Sequence, residues 1–307
     1  EGEIGYILGF SECDIAVLEN EKQLGKIVAQ KTKLPKLSKA ILFDPPSEAR
    51  KKAAEAAGLD VRSFDETIAA GEARLAKKPT EYEDEAAKGQ RGDRATLIFT
   101  SGTTGEPKGV SLSHGNFLCQ IDQIPRLLQI HPGDVWLSVL PVWHSFERIV
   151  QYVPMASAST IAYSKPVGSV MLADMQAIRP QWLASVPRIW EAVKDGIYRN
   201  IRAQGRAKRL LFSAFVGVGE SFAYFRNHLL GRMPDFDRRS RLLEILYSIL
   251  PVLALAPFYG LGQLLVFGKI KAKLGGRFVA GISGGGALPP AVDRFFGALG
   301  VLILEGY

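Results

Sequence analysis

Nine residues, Thr100-Ser-Gly-Thr-Thr-Gly-Glu-Pro-Lys108, bring together four hydroxyls, two glycines and a lysine. Glycine permits close backbone approach and unusual dihedrals, and hydroxyls and amide N–H groups donate to phosphate oxygens. Thr100, Ser101, Gly102, Thr103, Thr104 and Gly105 are therefore candidates to cradle phosphate, with Lys108 as a point charge. The spacing is not that of a Walker loop: counted from Gly102, Pro107 holds the place of the second glycine, and Gly109 follows the lysine where Ser or Thr belongs. Nor is it the dinucleotide fingerprint, because Thr104 stands at its second glycine. Taken alone, a solvated turn between two strands accounts for the same residues.

The elements around the loop decide how it is held. The apolar runs 95–99 and 110–112 predict a strand on either side. A helix is expected from Ser113 or His114 to about Ile130, then a strand over 135–140 and a helix from near Ser145, with Glu147 in its first turn. His144 falls at that strand-to-helix junction. Further on, 278–283 reads as a short strand breaking into Gly284-Gly285-Gly286. Pro289-Pro290 opens a helix to about Leu299, and a last strand, 301–304, exits at Glu305-Gly306-Tyr307. Before the loop, strands are expected at 6–8, 15–18, 40–43 and around Val61. Helices are expected at 21–30, from Ser47 to a stop at Gly58, and from Ser63 or Asp65 to about Leu75. The charged stretch 77–94 reads as a linker. This is the βαβ rhythm of an α/β fold, with parallel sheets packed against helices.

The chain has 307 residues, 47% of them hydrophobic, enough for a large core. Its net charge of +7 is local: between Arg199 and Arg241 ten basic residues face three acidic ones, and the rest is neutral overall. No base-reading motif accompanies the cluster, so nucleic acid is not expected as a partner. The uncharged run 245–267 is interrupted by Pro251, Pro257, Gly260 and Gly262, which predicts two proline-broken helices packed on the protein or lying on a membrane surface. With the basic cluster beside it, peripheral contact with an anionic membrane is the partner expectation there. Cys13 and Cys119 have no ligand-like neighbours and are expected to be buried thiols in a cytoplasmic protein. No targeting signal is visible.

Several segments occur in a fixed order: the loop itself, Ser113-His-Gly-Asn116, Leu140-Pro-Val-Trp-His-Ser-Phe-Glu-Arg148, Ser185-Val-Pro-Arg-Ile-Trp190, Ser283-Gly-Gly-Gly-Ala-Leu-Pro289 and Glu305-Gly-Tyr307. Together they resemble the adenylate-forming enzymes: acyl-CoA synthetases, firefly luciferase and nonribosomal-peptide adenylation domains. The His-Ser-Phe-Glu-Arg element and the long insertion before Ser283 resemble the long-chain fatty acyl-CoA synthetases in particular. The resemblance implies part of a large N-terminal adenylation domain without the small C-terminal one. Its parts would be 1–76, a linker 77–94, the loop-bearing part 95–198, a helical insertion 199–274 and an adenine-binding part 275–307.

The resemblance also implies the chemistry. A fatty-acid carboxylate attacks the α-phosphate of ATP, giving acyl-adenylate and pyrophosphate, and coenzyme A then displaces AMP. Thr100 to Gly105 and Lys108 would hold the departing phosphates together with Mg2+, and no protein metal ligand is assigned. His144 would lie beside the carboxylate and α-phosphate, with Trp143 and Phe146 at the mouth of the acyl tunnel. Gly284, Gly285, Gly286, Glu305 and Gly306 would border the adenine, on which Tyr307 stacks. In the family Glu-Gly-Tyr continues as Gly-x-Thr-Glu, so the 307 residues alone are expected to bind nucleotide poorly and not to turn over. The alternatives are a ligase for an aromatic or amino acid, or a non-catalytic scaffold at a membrane. An amino-acid-activating domain would carry an aspartate in the segment 141–148, which has only Glu147.

Overall fold

The computed structural model describes residues 2–100, 107–232 and 240–306. It divides into two units, residues 1–118 and 119–307.

The first unit begins with α1 (Gly2–Ser11), β1 (Ile15–Leu18), α2 (Glu21–Val28), β2 (Lys39–Leu42), α3 (Glu48–Ala56), β3 (Asp60–Ser63) and α4 (Phe64–Lys77). The three strands form a parallel sheet in the order β1-β2-β3. Local chemistry sets the helix limits. Asn20 Oδ1 accepts the N–H groups of Lys22 and Gln23 to start α2, and Ser63 and Glu66 form a reciprocal capping box at α4. Gly58, φ +84°, turns the chain after α3. Leu24, Ile27, Leu42, Leu59 and Val61 fill the core beside this sheet.

One expectation changes here. Residues 6–8 lie in helix α1, not a strand. A short apolar run fits either period, and Ile4 and Leu8, one turn apart, pack together on this core. The stretch 77–94 carries the end of α4 and a further helix, α5 (Glu81–Ala86). Glu81 there is gripped by Arg74 and Lys78, which hold its carboxyl down to about 2.

An antiparallel hairpin follows, β4 (Arg94–Thr100) with β5 (Lys108–Ser113). Then comes α6 (His114–Leu128), whose start is tied by Ser113 N–H donating to Asn116 Oδ1 at 2.8 Å and Asn116 N–H donating to Ser113 Oγ at 3.3 Å.

The second unit is built on five parallel strands: β6 (Val135–Ser138), β7 (Thr160–Tyr163), β8 (Trp182–Ser185), β9 (Ala280–Gly284) and β10 (Leu302–Gly306), in the order β10-β9-β8-β6-β7. Connecting helices are α7 (Ser145–Ala156), α8 (Gly168–Ile178), α9 (Pro187–Arg202), α10 (Arg206–Leu229), α11 (Arg241–Gly262), α12 (Gly268–Lys273) and α13 (Pro290–Leu299). The Trp136 and Trp182 rings stack across β6 and β8 at 5.2 Å, and Trp190, Phe295 and Phe296 anchor the larger core. Gly281 admits the Trp190 ring so closely that a Cβ would lie 2.3 Å from it.

Helix α11 corrects another expectation. It is one helix through Pro251 and Pro257, continuing by a π-helical turn, Gln263–Phe267, into α12. Each proline removes one backbone bond, and packing on α10 carries the helix past both. Phe222 stacks on Tyr259 at 4.2 Å, and Phe225 meets Tyr247 at 5.4 Å. By length and composition the span 241–273 could cross a membrane, and only 6% of its most apolar window is buried. The cysteine expectation also fails: Cys119 is exposed and Cys13 half-buried. Cys119 sits in α6 beside the Gln123 amide, and Cys13 lies 3.0 Å from the Ser11 hydroxyl in the turn after α1.

Candidate functional site

In a parallel sheet, ligands bind outside the carboxyl ends of the strands, at the point where strand order reverses. In the second unit the chain goes from β6 outward to β7 and returns on the other side of β6 as β8, so the reversal lies between β6 and β8. The segments singled out in the sequence leave the carboxyl ends of these strands: 139–144 after β6, Val186-Pro187 after β8, Gly285-Gly286 after β9, and Glu305-Gly306 at the end of β10. Register adds detail, since Ser283 pairs with both Ser185 and Glu305, and Gly284 with Gly306.

His144 is the N-cap of α7. Its Nδ1 accepts the Phe146 N–H at 3.2 Å, so the neutral ring carries its proton on Nε2, where it can donate. The ring is exposed at a helix N-terminus, a place that favours anions. Trp143 beside it is 75% exposed.

Phe146 is half-buried against the glycine turn, where a Cβ on Gly284 would lie 2.8 Å from its ring. The structure therefore brings together the candidate tunnel residue and the candidate adenine-side glycines. Gly285 has φ +78°, the left-handed region, and a Cβ on Gly286 would come within 3.8 Å of Pro187. Glu305 Oε1 accepts the Leu288 N–H at 2.7 Å, tying the turn to β10, so this carboxylate positions the glycines. Burial, and then the charge of Glu305, raise the Asp293 carboxyl above its usual range.

Three polar groups in this region were not legible as site residues. Ser185 and Ser283, neighbours across β8 and β9, are fully buried, and their hydroxyls have no partner among the described residues. Glu147 is fully buried too, and the Ser138 hydroxyl donates to its Oε1. Burial pushes its carboxyl above the usual value, partly offset by hydrogen bonding from Ser138. The two serines stand at or next to the ends of largely apolar strands, the one signal that could have drawn attention to them. Nothing in the sequence marks Glu147 as buried.

In the first unit Thr100 and Lys108 face each other in register at the end of the β4–β5 hairpin where the two strands are joined, both exposed. A Cβ on Gly109 would touch the Phe10 ring at 3.0 Å, which accounts for a glycine directly after the lysine. Ser101, Gly102, Thr103, Thr104, Gly105 and Tyr307 lie outside the described residues. Among the described residues no cluster of three or more His, Cys, Asp or Glu could hold a metal.

The AMP-binding enzyme family matches residues 1–307. The chain is 29% identical over 99% of its length to the chloroplastic long-chain-fatty-acid acyl-carrier-protein ligase AEE15 of Arabidopsis thaliana, covering 42% of that protein. It is 26% identical over 98% of its length to the long-chain-fatty-acid–CoA ligase 5 of Rattus norvegicus, covering 40% of it. It thus spans about 40% of the length of these relatives. Among solved structures, the adenylation domain of a Mycobacterium chelonae carboxylate reductase superposes with a TM-score of 0.55 at 18% identity, over 100% of this chain and 41% of that one. ATP-bound MatB of Rhodopseudomonas palustris superposes with a TM-score of 0.53 at 18% identity, over 99% of this chain and 42% of that one. The chain belongs to the AMP-binding enzyme family, and its fold is that of an N-terminal adenylation domain.

Proposed function

We propose that the chain is the acid-activating part of a long-chain fatty acid–CoA ligase. The observation that carries this reading is the convergence of His144 and the Gly284–Gly286 turn at the carboxyl edge of one parallel sheet, with Phe146 packed between them. A carboxylate is a poor electrophile, so it must be joined to a good leaving group. Its oxygen attacks the α-phosphorus of ATP, the bond to the bridging oxygen breaks, and pyrophosphate leaves.

The Nε2–H of His144 donates to an oxygen of the carboxylate or α-phosphate, and the amides at the start of α7 favour the same negative charge. Lys108 and the hydroxyls from Thr100 to Gly105 hold the leaving phosphates, with magnesium arriving on the nucleotide. Gly284, Gly285, Gly286 and Gly306 offer backbone without side chains to the flat base. The thiol of coenzyme A then attacks the acyl carbon and AMP departs.

One observation favours a second acceptor: the match to AEE15, whose name gives acyl carrier protein as the thiol partner, covers nearly the whole chain. The exposed apolar face of α11 beside basic residues supports peripheral contact with an anionic membrane. The test is product analysis with the full-length protein, ATP and Mg2+. Fatty acids of increasing length, benzoate and amino acids are offered with coenzyme A or acyl carrier protein. Acyl-CoA yield peaking with long chains is expected. Turnover confined to benzoate or amino acids would overturn the fatty-acid reading.

A further inference from the structure

A cleft of about 550 Å³ opens in the second unit between α8, α9, α10, the π-helical turn and α12. That lies within the range of roughly 300–1,000 Å³ that takes small-molecule ligands. Its wall is apolar, with Ile197, Leu211 and Val266 among the residues facing it. It has no acidic lining residue, yet Lys208, Lys269 and Lys273 stand around it, all exposed and without an acidic partner among the described residues.

The cleft shares no lining residue with the segments at the carboxyl edge of the sheet. Helix α9 starts at Pro187, beside the glycine turn, and lines the cleft only from Val193 onward. At about 1.5 Å per residue, the cleft's lining on α9 runs from roughly 9 Å (Val193) to roughly 21 Å (Ile201) along the helix from Pro187.

We propose that this cleft binds the chain of a single-chain anionic amphiphile, with its headgroup among the three lysines. An apolar trough favours hydrocarbon, and three ammonium groups without an acidic partner among the described residues favour a carboxylate or phosphate over a neutral head. The neighbouring surface has the same character, since Leu210 and Leu264 are 62% and 76% exposed. The ligand could reach it as a free fatty acid or from an anionic bilayer. The inference does not depend on the catalytic reading.

Gly196 gives a clean test. It lines the cleft, and the nearest atom to a Cβ built on it is an Arg199 guanidinium nitrogen at 4.0 Å, so the base of a larger side chain has room and the rest is directed to occupy the cleft, while helix propensity rises. The full-length protein would be photolabelled with a sixteen-carbon fatty acid carrying a diazirine near its end. The probe is delivered once free in buffer and once in phosphatidylglycerol vesicles, and the labelled peptides are read by mass spectrometry.

Label is expected on the carboxyl half of α9, the first turns of α10 and on α12. Palmitate should compete and hexadecanol should not. The label should fall at least tenfold in Gly196→Leu and in a Lys208→Gln, Lys269→Gln, Lys273→Gln triple variant, each melting no lower than the parent. Labelling from free acid points to a soluble ligand, and labelling only from vesicles to a bilayer one. The proposal is overturned if these helices are unlabelled in both deliveries, if folded Gly196→Leu labels normally, or if hexadecanol competes equally. Label confined to the carboxyl edge would remove the cleft and leave the catalytic reading intact. Conversely, a protein that activates no fatty acid yet labels at the cleft would sink only the catalytic reading.

Discussion

Lys108 and His144 carry different parts of the proposed chemistry and should fail differently. Lys108 offers an exposed charge at the start of β5, so Lys108→Ala should leave the fold unchanged. Losing one preorganised donor to a developing charge costs about 10²–10³ in rate. Pyrophosphate release by the full-length variant should drop by that order, with the KM for the acid little changed. An unchanged rate would remove the loop from the mechanism. Glu147 makes a prediction about pH. Its carboxyl is raised above 4.5 by burial, so the neutral form is favoured in the folded state. The stability it contributes is present below the ordinary carboxylate range and lost as pH rises through its raised value. Glu147→Gln keeps a partner for the Ser138 hydroxyl and cannot ionise. The melting temperature of the parent should therefore fall relative to the variant as pH climbs from about 4 to 8. Parallel curves would show that Glu147 does not titrate in this range.

The site is set by strand ends and turns, and glycine decides how closely they approach. Gly284 lies so near the Phe146 ring that an alanine there must displace it. Overpacking of this kind costs about 1–3 kcal/mol. Gly284→Ala should lower stability by that amount and weaken nucleotide binding, whereas Gly286→Ala, with Pro187 at 3.8 Å, should be far milder. Equal effects would contradict the packing described. Helix α11 makes a prediction about salt. If its exposed apolar side and the basic residues around it contact an anionic surface, cosedimentation with phosphatidylglycerol vesicles should fall between 0.05 and 0.5 M salt, as screening shortens the reach of the charges. Pelleting that ignores both salt and lipid charge would reject the contact. Much of this layer was legible in the sequence. Ser63 and Gly58 announce their helix ends, and the turn residues before Val135 and after Ser283 announce strands. What was misread has physical causes. The run at 6–8 is too short for its period to separate helix from strand. Pro251 and Pro257 each cost one hydrogen bond, which contacts with Phe222 and Phe225 on another helix outweigh. The burial of Glu147 and the cleft behind α9 arise only when distant segments meet.

At the scale of the molecule, the chain offers two pieces for the proposed chemistry, each intelligible by itself. One is a hairpin presenting Thr100 and Lys108. The other is a parallel sheet whose carboxyl edge gathers His144, the Gly284–Gly286 turn, Glu305 and Gly306. The order of these segments along the sequence was what identified the family, because no single one is specific. The substrate is a finer matter, which these motifs do not fix. The central claim is that this assembly joins a long-chain carboxylate to the α-phosphate of ATP. Reversible formation of the acyl-adenylate has a direct signature: exchange of labelled pyrophosphate into ATP that requires the acid and needs no thiol. The full-length protein with Mg2+, ATP and palmitate in the absence of coenzyme A should show that exchange, and Lys108→Ala should lose it. No exchange with palmitate or any other acid would contradict the account.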